Sequence, residues 1–336
     1  MAAARIVVVN FNAGKNLSRC MATLLAQTNT DFEVRIVDNA STDGSLRYVP
    51  DDDRFLVIDA GSNVGFAAGC NLGAKGCAAP FVVFLNPDAF PEPGWLAALV
   101  RAAQSHPDAA MFGSLQVSAT NCNILDGAGD CYSCFGVPWR GGYGQPVKPL
   151  PDYAEAFSPC AAAAMYRMEW FTRAGGFDEK FFCYIEDIDL AFRVRLLGGR
   201  CMQVNSAIVR HVGSATSGIE SDFTMYHSAR NRFWTIIKNA PGWLLCVVAP
   251  LYLAFSAYLL VRFGRSSTAS AIRQGLLAGF AGLPGAWKQR RKIQAARTAS
   301  IGDIARAINW SIPALRKRKI ILRVAKARAG DLTGLF

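Results

Sequence analysis

Histidine is scarce in this sequence, three in 336 residues, so any one that stands in a motif draws attention. Cysteine is present ten times, but a chain of this length with that number is no disulfide scaffold. The single Cys131-x-x-Cys134, with Cys122 nearby, is at most half of a zinc site; four ligands at suitable spacing are missing, and these are read as buried or loop thiols. The opening MAAARIVVVNFN lacks the long apolar core of a signal peptide and runs straight into a strand pattern. A cytoplasmic-facing chain with reduced thiols is therefore expected. Internal repeats and long low-complexity segments are also lacking.

Acidic residues are almost absent from the C-terminal part. From Arg262 onward sixteen Lys and Arg face only Asp303 and Asp331, whereas everything before Arg262 is slightly acidic; the formal net charge of +11 thus belongs to the tail. Such a tail can meet nucleic acid or anionic lipid. The apolar run just before it favours lipid, and nucleic acid is not expected as a partner. Mean hydropathy of +0.18 with 51% hydrophobic residues fits a globular domain carrying something membrane-seeking.

Runs at 5–11, 32–38, 55–59 and 81–85 read as strands, the first of them buried, separated by loops and helical patterns, the first helix over Leu17–Gln27 with Ser18 as its cap. This alternation implies an α/β, doubly wound, mostly parallel sheet, whose ligand sits beyond the carboxyl ends of the strands. Trp95–Gln104 is predicted helical, and 113–155 reads as an aperiodic Gly-, Pro- and aromatic-rich loop region on the acceptor side.

Polar residues gather at the strand ends. Asn10, Asp38, Asn39 and Asn63 are able to hydrogen-bond a pyrimidine or ribose, and Gly65 and Gly69 would let backbone approach a phosphate; equally, Asp38-Asn39 and Ser62-Asn63 read as Asx turns and caps. Asp88, closing the strand in LNPD, can hold Mg²⁺ or Mn²⁺ between two phosphates, or NPD is simply a turn. His211, after VNSAIVRH, is a second candidate ligand, though a lone histidine also fits a structural role. Glu186-Asp187-Ile-Asp189 crowds three carboxylates, which raises a pKa and suits a general base; the same acids also suit the first turn of a helix.

In order, VVVNFN, VDNASTDGS, GSNVGFAAGCN, LNPD, GGFDEKFFCYIEDIDL and HVGS resemble the family 2 inverting glycosyltransferases, most of all the rhamnosyltransferase-type enzymes of bacterial cell-surface polysaccharide synthesis. The likeness covers about residues 4–240. It implies a GT-A fold, a nucleotide-sugar donor, a lipid-linked or polysaccharide acceptor and inversion at the anomeric carbon. It assigns Asp38 to the nucleoside, with Asn12, Phe66 and Asn86 completing the nucleotide-sugar set. Asp88 would bind the divalent metal, His211 the metal or diphosphate, and Asp187, paired with Glu186, would be the base. Arg230 and Asn231 match an Arg-Asn element placed on the acceptor and phosphate side. Departures are Asn-Pro-Asp where a strict DxD has a first acid, Cys70 where Asn is frequent, and Pro159-Cys160 in place of a Gly-rich approach. A non-catalytic nucleotide-sugar-binding subunit is a rival reading. So is a nucleotidyltransferase, although Asn12-Ala-Gly-Lys15 is a poor version of its Gly-rich loop.

Residues 1–240 are taken as the catalytic domain and 241–336 as a helical, membrane-associating tail. Trp243–Val261 holds no charge and is long enough to span a bilayer. A single span would place the catalytic domain and the basic tail on opposite sides, against the positive-inside rule. A re-entrant or interfacial hairpin bent at Pro250, with Leu276–Trp287 as its second limb, is therefore expected at the cytoplasmic face of the inner membrane; the alternative is a helix buried against the main domain.

Overall fold

Strand β1 (Ala4–Asn10) is buried along its whole length, Ile6 and Val8 entering one hydrophobic cluster and Val7 and Val9 another. Burial on both faces is why it reads as a continuous apolar run without alternation. The structure, a computed structural model, describes residues 2–213 and 221–323. After β1 come α1 (Lys15–Leu25), β2 (Phe32–Asp38), β3 (Phe55–Asp59), α2 (Gly65–Ala74) and β4 (Phe81–Leu85). Strands β3, β2, β1 and β4 pair in parallel in that order, each within a residue of its expected bounds. Helix α1 starts before the predicted Leu17. Gly14, at φ 55°, takes the cap position instead of Ser18, and its N–H donates to Asp43 at 2.7 Å.

Next are β5 (Ala89–Pro91), α3 (Trp95–Ser105), β6 (Ala109–Ser118), β7 (Leu125–Ala128), β8 (Asp130–Tyr132), β9 (Pro138–Arg140), β10 (Tyr153–Ala156), β11 (Ala163–Arg167), α4 (Met168–Arg173), α5 (Glu186–Leu196) and β12 (Arg200–His211). Here the sheet becomes mixed. β11 lies antiparallel between β4 and β6, β12 runs parallel to β6, and β10 closes the edge. Helices α1 and α3 cover one face; α2, α4 and α5 cover the other. The stretch 113–155, read as loop, carries the end of β6 and the start of a series of strands only three or four residues long. Strands that short show no period to read.

The C-terminal part is helical: α6 (Asp222–Asn239), α7 (Trp243–Phe263), α8 (Ser267–Ala281), α9 (Leu283–Ala295), α10 (Ile301–Ala307) and α11 (Ile312–Arg316). A third cluster joins Ile188, Phe192 and Leu196 of α5 to Phe233 and Ile236 of α6, Leu244, Val248 and Tyr252 of α7, and Ile304. The chain then returns to the first 240 residues. Asn309 bridges to Ser133 and Arg323 to Glu155, and Trp139 Nε1 donates to the Lys319 carbonyl at 3.0 Å.

Helix α7 runs unbroken through Pro250, so the expected bend there is not a break in the helix. The second limb expected over Leu276–Trp287 is divided between α8 and α9 at Gly282. By length and composition α7 could cross a membrane: 21 residues, mean hydropathy 2.3, with 22% of its most apolar stretch buried. Leu244, Val248, Tyr252 and Ser256, four apart, form its buried face.

Candidate active site

The parallel pairing brings Asn10, Asp38 and the end of β4 to one edge. Asn10 Nδ2 donates to Asp38 Oδ1 at 2.9 Å and to the Ser45 and Ser41 hydroxyls at 2.9 and 3.0 Å. Asp38 Oδ2 accepts the Ser41 N–H at 3.2 Å. Asn39 Nδ2 donates to the Gly65 carbonyl at 3.2 Å. The amide oxygens of Asn10 and Asn39 are buried with no donor facing them. Asn12 Oδ1 caps the Thr42 N–H at 2.8 Å, and Asn63 Oδ1 accepts the Gly65 N–H at 3.1 Å as an Asx turn. Asn86 is half-buried just past β4, its N–H donating to the Ala162 carbonyl. Phe66 packs edge-on to Phe177.

The two glycines serve packing. A Cβ on Gly69 would lie 2.9 Å from Val9, so this position sets how closely α2 approaches β1. A Cβ on Gly65, where φ is +85°, would lie 2.5 Å from the Phe182 ring and 2.7 Å from its carbonyl oxygen. Phe182 also accepts the Ala67 N–H, so α2 and the loop before α5 are locked together here. Gly65→Ala is expected to cost about 1–3 kcal/mol, read as a drop in melting temperature. An unchanged melt would mean the loop yields without cost.

That loop is unusual backbone. Phe182, Tyr184 and Ile185 have φ of 65°, 67° and 71°, in the left-handed region. Its carbonyls are held by the Arg-Asn element: Asn231 Nδ2 lies 2.8–3.0 Å from the oxygens of Phe181, Cys183 and Tyr184, and Arg230 Nη2 donates to Lys180 and Phe181. Asn231 is fully buried. The resemblance implies the acceptor and phosphate side for both; in the structure their side chains brace the backbone that delivers α5.

At the start of α5 the three carboxylates separate. Asp189, fully buried, accepts from Arg193 at 2.9 Å and Asn239 at 2.8 Å and pairs with Lys238 at 2.8 Å. Burial works against its charge, but the two cations outweigh it and lower its pKa, so Asp189 is a structural acid. Among the described residues Glu186 and Asp187 have no such cation in ion-pair contact. Burial, with Asp187 beside it, pushes Glu186 well above the usual carboxylate range, and its Oε2 has no partner. Burial also raises Asp187, against N–H donors from Ala161 at 3.2 Å and Ile188 at 2.8 Å.

On β5 and β12, Ala89 pairs with His211, which brings the imidazole beside Asp88. His211 Nδ1 lies 2.8 Å from Asp126 Oδ2, which Arg140 also holds. Its Nε2 stands 3.3 Å from Asp88 Oδ1, outside hydrogen-bond alignment, and has no other partner. Burial disfavours the imidazolium, but the Asp126 and Asp88 carboxylates prevail and push it up to about 9. Burial likewise disfavours the Asp88 carboxylate, which His211 nonetheless holds below its ordinary value. The motif residues 214–218 that follow lie outside the described residues.

A model of glycosyl transferase family 2 matches residues 5–173. The chain belongs to that family. An N-acetylglucosaminyl-diphospho-decaprenol L-rhamnosyltransferase of Mycobacterium tuberculosis is 27% identical, over 76% of this chain and 92% of that protein. Among solved structures, a mannosyltransferase from Pyrobaculum calidifontis, in complex with GDP-Man and Mn²⁺, superposes with a TM-score of 0.55 at 16% identity, over 88% of this chain and 85% of its own. GalNAc-T7 with UDP, GalNAc and Mn²⁺ gives 0.58 at 16% identity, over 71% of this chain and 48% of its own. These likenesses establish the GT-A fold, and this family 2 glycosyltransferase is a nucleotide-sugar-dependent enzyme.

Three groups of this glycosyltransferase's site were missed in the sequence: Asp126, Asp130 and Arg140. Asp130 is buried, its Oδ1 has no partner, and ligand atoms of Asp130, Cys160 and Asp187 lie within 4.8 Å of one another. Burial and the neighbouring Asp187 push Asp130 well above the carboxylate range. The available signal was Asp126-Gly-Ala-Gly-Asp130, two acids around small residues, inside the stretch set aside as loop. Among the described residues no group of three ligands includes Cys131 or Cys134, and Cys122 is exposed. The Gly14 N–H is taken by Asp43, unlike a loop kept open for phosphate.

Proposed function

We propose that this enzyme transfers a sugar, rhamnose being the favoured candidate, from its nucleotide-sugar donor to a lipid-linked or cell-surface glycan, with inversion and with Asp187 as base. The observation that carries the reading is the sorting at α5: Asp189 is neutralised by Arg193 and Lys238, while Asp187, half-buried and raised by its desolvation, has no cation in ion-pair contact among the described residues. A carboxylate whose pKa is raised is a stronger proton acceptor than an ordinary one. Asp187 would take the acceptor hydroxyl's proton as that oxygen attacks the anomeric carbon opposite the leaving diphosphate. The unpartnered amide oxygens of Asn10 and Asn39 suit donors on a base or ribose beside Asp38.

Asp88 and His211 would hold Mg²⁺ or Mn²⁺. The fit rests on the donor set: His211 Nε2 and Asp88 Oδ1 face each other 3.3 Å apart, and Nδ1 is oriented by Asp126 in the manner of a carboxylate–histidine–metal triad, so a divalent cation would take the place of the Nε2 proton between them. Bound there, the cation supplies charge neutralisation for the departing diphosphate. Support for rhamnose and for a lipid-diphosphate acceptor comes from the name of the mycobacterial relative. We place the protein at the cytoplasmic face of the inner membrane, peripheral or re-entrant, on the exposed apolar side of α7 and the basic tail.

The test is release of nucleoside diphosphate by the detergent-purified enzyme, given Mg²⁺ or Mn²⁺, a panel of nucleotide sugars and a bacterial lipid extract. Metal-dependent release from a deoxythymidine diphosphate rhamnose donor, requiring the extract, is expected. Release from a different sugar alone would overturn the rhamnose assignment, and release without extract would overturn the lipid-linked acceptor.

A further inference from the structure

Away from the catalytic edge, a pocket of about 390 Å³ opens between the start of α7 and the outer side of α9, lined by Gly242, Trp287, Arg290, Arg291, Gln294 and Arg297. Among the described residues three guanidinium groups and no carboxylate line it. From α7 to Arg323 the described chain holds a single acid, Asp303, which is already engaged by Ser300 and Arg306. Arg290 is fixed in place: its Nη1 donates to the Ile237 and Ala240 carbonyls at 2.8 and 2.7 Å, and its guanidinium sits 5.4 Å from the Trp287 ring. Arg297 has a buried Nε with no partner. Gly242 caps α7 without a side-chain bond, so the positive end of a 21-residue helix borders the pocket as well.

The surroundings are apolar and exposed. Trp243, next to Gly242, is 56% exposed and Trp287 41%. Beyond them Val247, Leu253, Tyr258 and Val261 stand outward along α7, which bears no charge until Arg262. A helix whose outward face is apolar throughout is not built for water. Tryptophans at the end of such a face, over a cationic pocket, match the layered order of a bilayer: acyl chains, interface, phosphates.

We propose that this pocket binds the phosphate of an anionic bilayer lipid headgroup, anchoring the exposed face of α7 in the membrane. The proposal rests on the reading that α7 meets a bilayer. It gives the basic tail a specific place of contact, distinct from diffuse attraction between many lysines and arginines and a charged surface.

The full-length enzyme is tested by co-sedimentation with phosphatidylcholine vesicles, with and without phosphatidylglycerol. Wild type is expected to bind both, the anionic vesicles about tenfold more tightly or better. Arg291→Ala/Arg297→Ala should lose most of that preference and keep the binding to neutral vesicles. Arg316→Ala/Lys317→Ala removes the same charge elsewhere on the tail and should retain the preference; both of those residues are exposed. Equal losses in the two double variants would overturn the pocket and leave the membrane reading standing. Wild type bound to neither vesicle would overturn both. Inorganic phosphate, titrated calorimetrically, is expected to bind only weakly; tight binding of it without vesicle binding would identify a soluble ligand and overturn the lipid.

Discussion

Asp187→Asn should lower transfer by about 10²–10⁴-fold while leaving donor affinity within a few-fold of wild type. The substitution keeps the side chain's size and one of its two acceptor positions toward the Ala161 and Ile188 N–H groups, so the start of α5 has little reason to move. The capacity to take a proton is removed, together with one acceptor for a backbone N–H. The wild-type rate should also fall with acidification. The working form of Asp187 is the carboxylate, and burial raises its pKa, so the acid limb lies above the ordinary 3.8 and belongs to the Glu186–Asp187 pair. Single-turnover rates and donor titrations on both proteins separate the two effects. Full transfer by the variant would remove Asp187 from the mechanism; loss of donor binding instead of rate would make it a binding residue.

Removing the cation should be comparably severe. Chelation, or Asp88→Asn, is expected to reduce transfer by about 10²-fold or more, with chelated wild type recovering on addition of Mg²⁺ or Mn²⁺ and the variant not. Asp88 offers a carboxylate 3.3 Å from His211 Nε2, and with that carboxylate gone a single imidazole nitrogen is left to hold a divalent ion. Asp126→Asn serves as the graded comparison. It spares both ligands and loses the charge that orients His211, so metal affinity should fall about 10–100-fold with recovery at higher metal concentration. Undiminished transfer in excess chelator would sink the metal reading.

The parallel half of the sheet and the start of α5 were legible in the sequence because their signals are local. β1 to β4 are short runs rich in apolar residues followed by polar ones, and β1 and β4, buried along their whole length, are the most continuous of them. What was not legible depends on residues far apart. Asp126 becomes relevant by reaching His211, 85 positions on, and Asn231 by reaching carbonyls nearly 50 positions back. Glycine was ambiguous too: the close approach at Gly65 and Gly69 is to Phe182 and Val9, and a sequence shows that something must come near without showing what. The roles of Glu186, Asp187 and Asp189 were inseparable for the same reason, since Lys238 from α6 is what neutralises one of them.

Lys238 also has a thermodynamic consequence. Almost wholly buried, it ties α6 to Asp178 ahead of the strained loop and to Asp189 inside α5, while Ile188, Phe192 and Leu196 share their hydrophobic cluster with Leu244, Val248 and Tyr252. Each such apolar side chain contributes about 1.5–3 kcal/mol by its burial. The helix bearing the proposed base and the C-terminal helices therefore melt as one cooperative unit. A chain cut after Ala240 would keep every matched motif, yet it would leave the underside of α5 open to water.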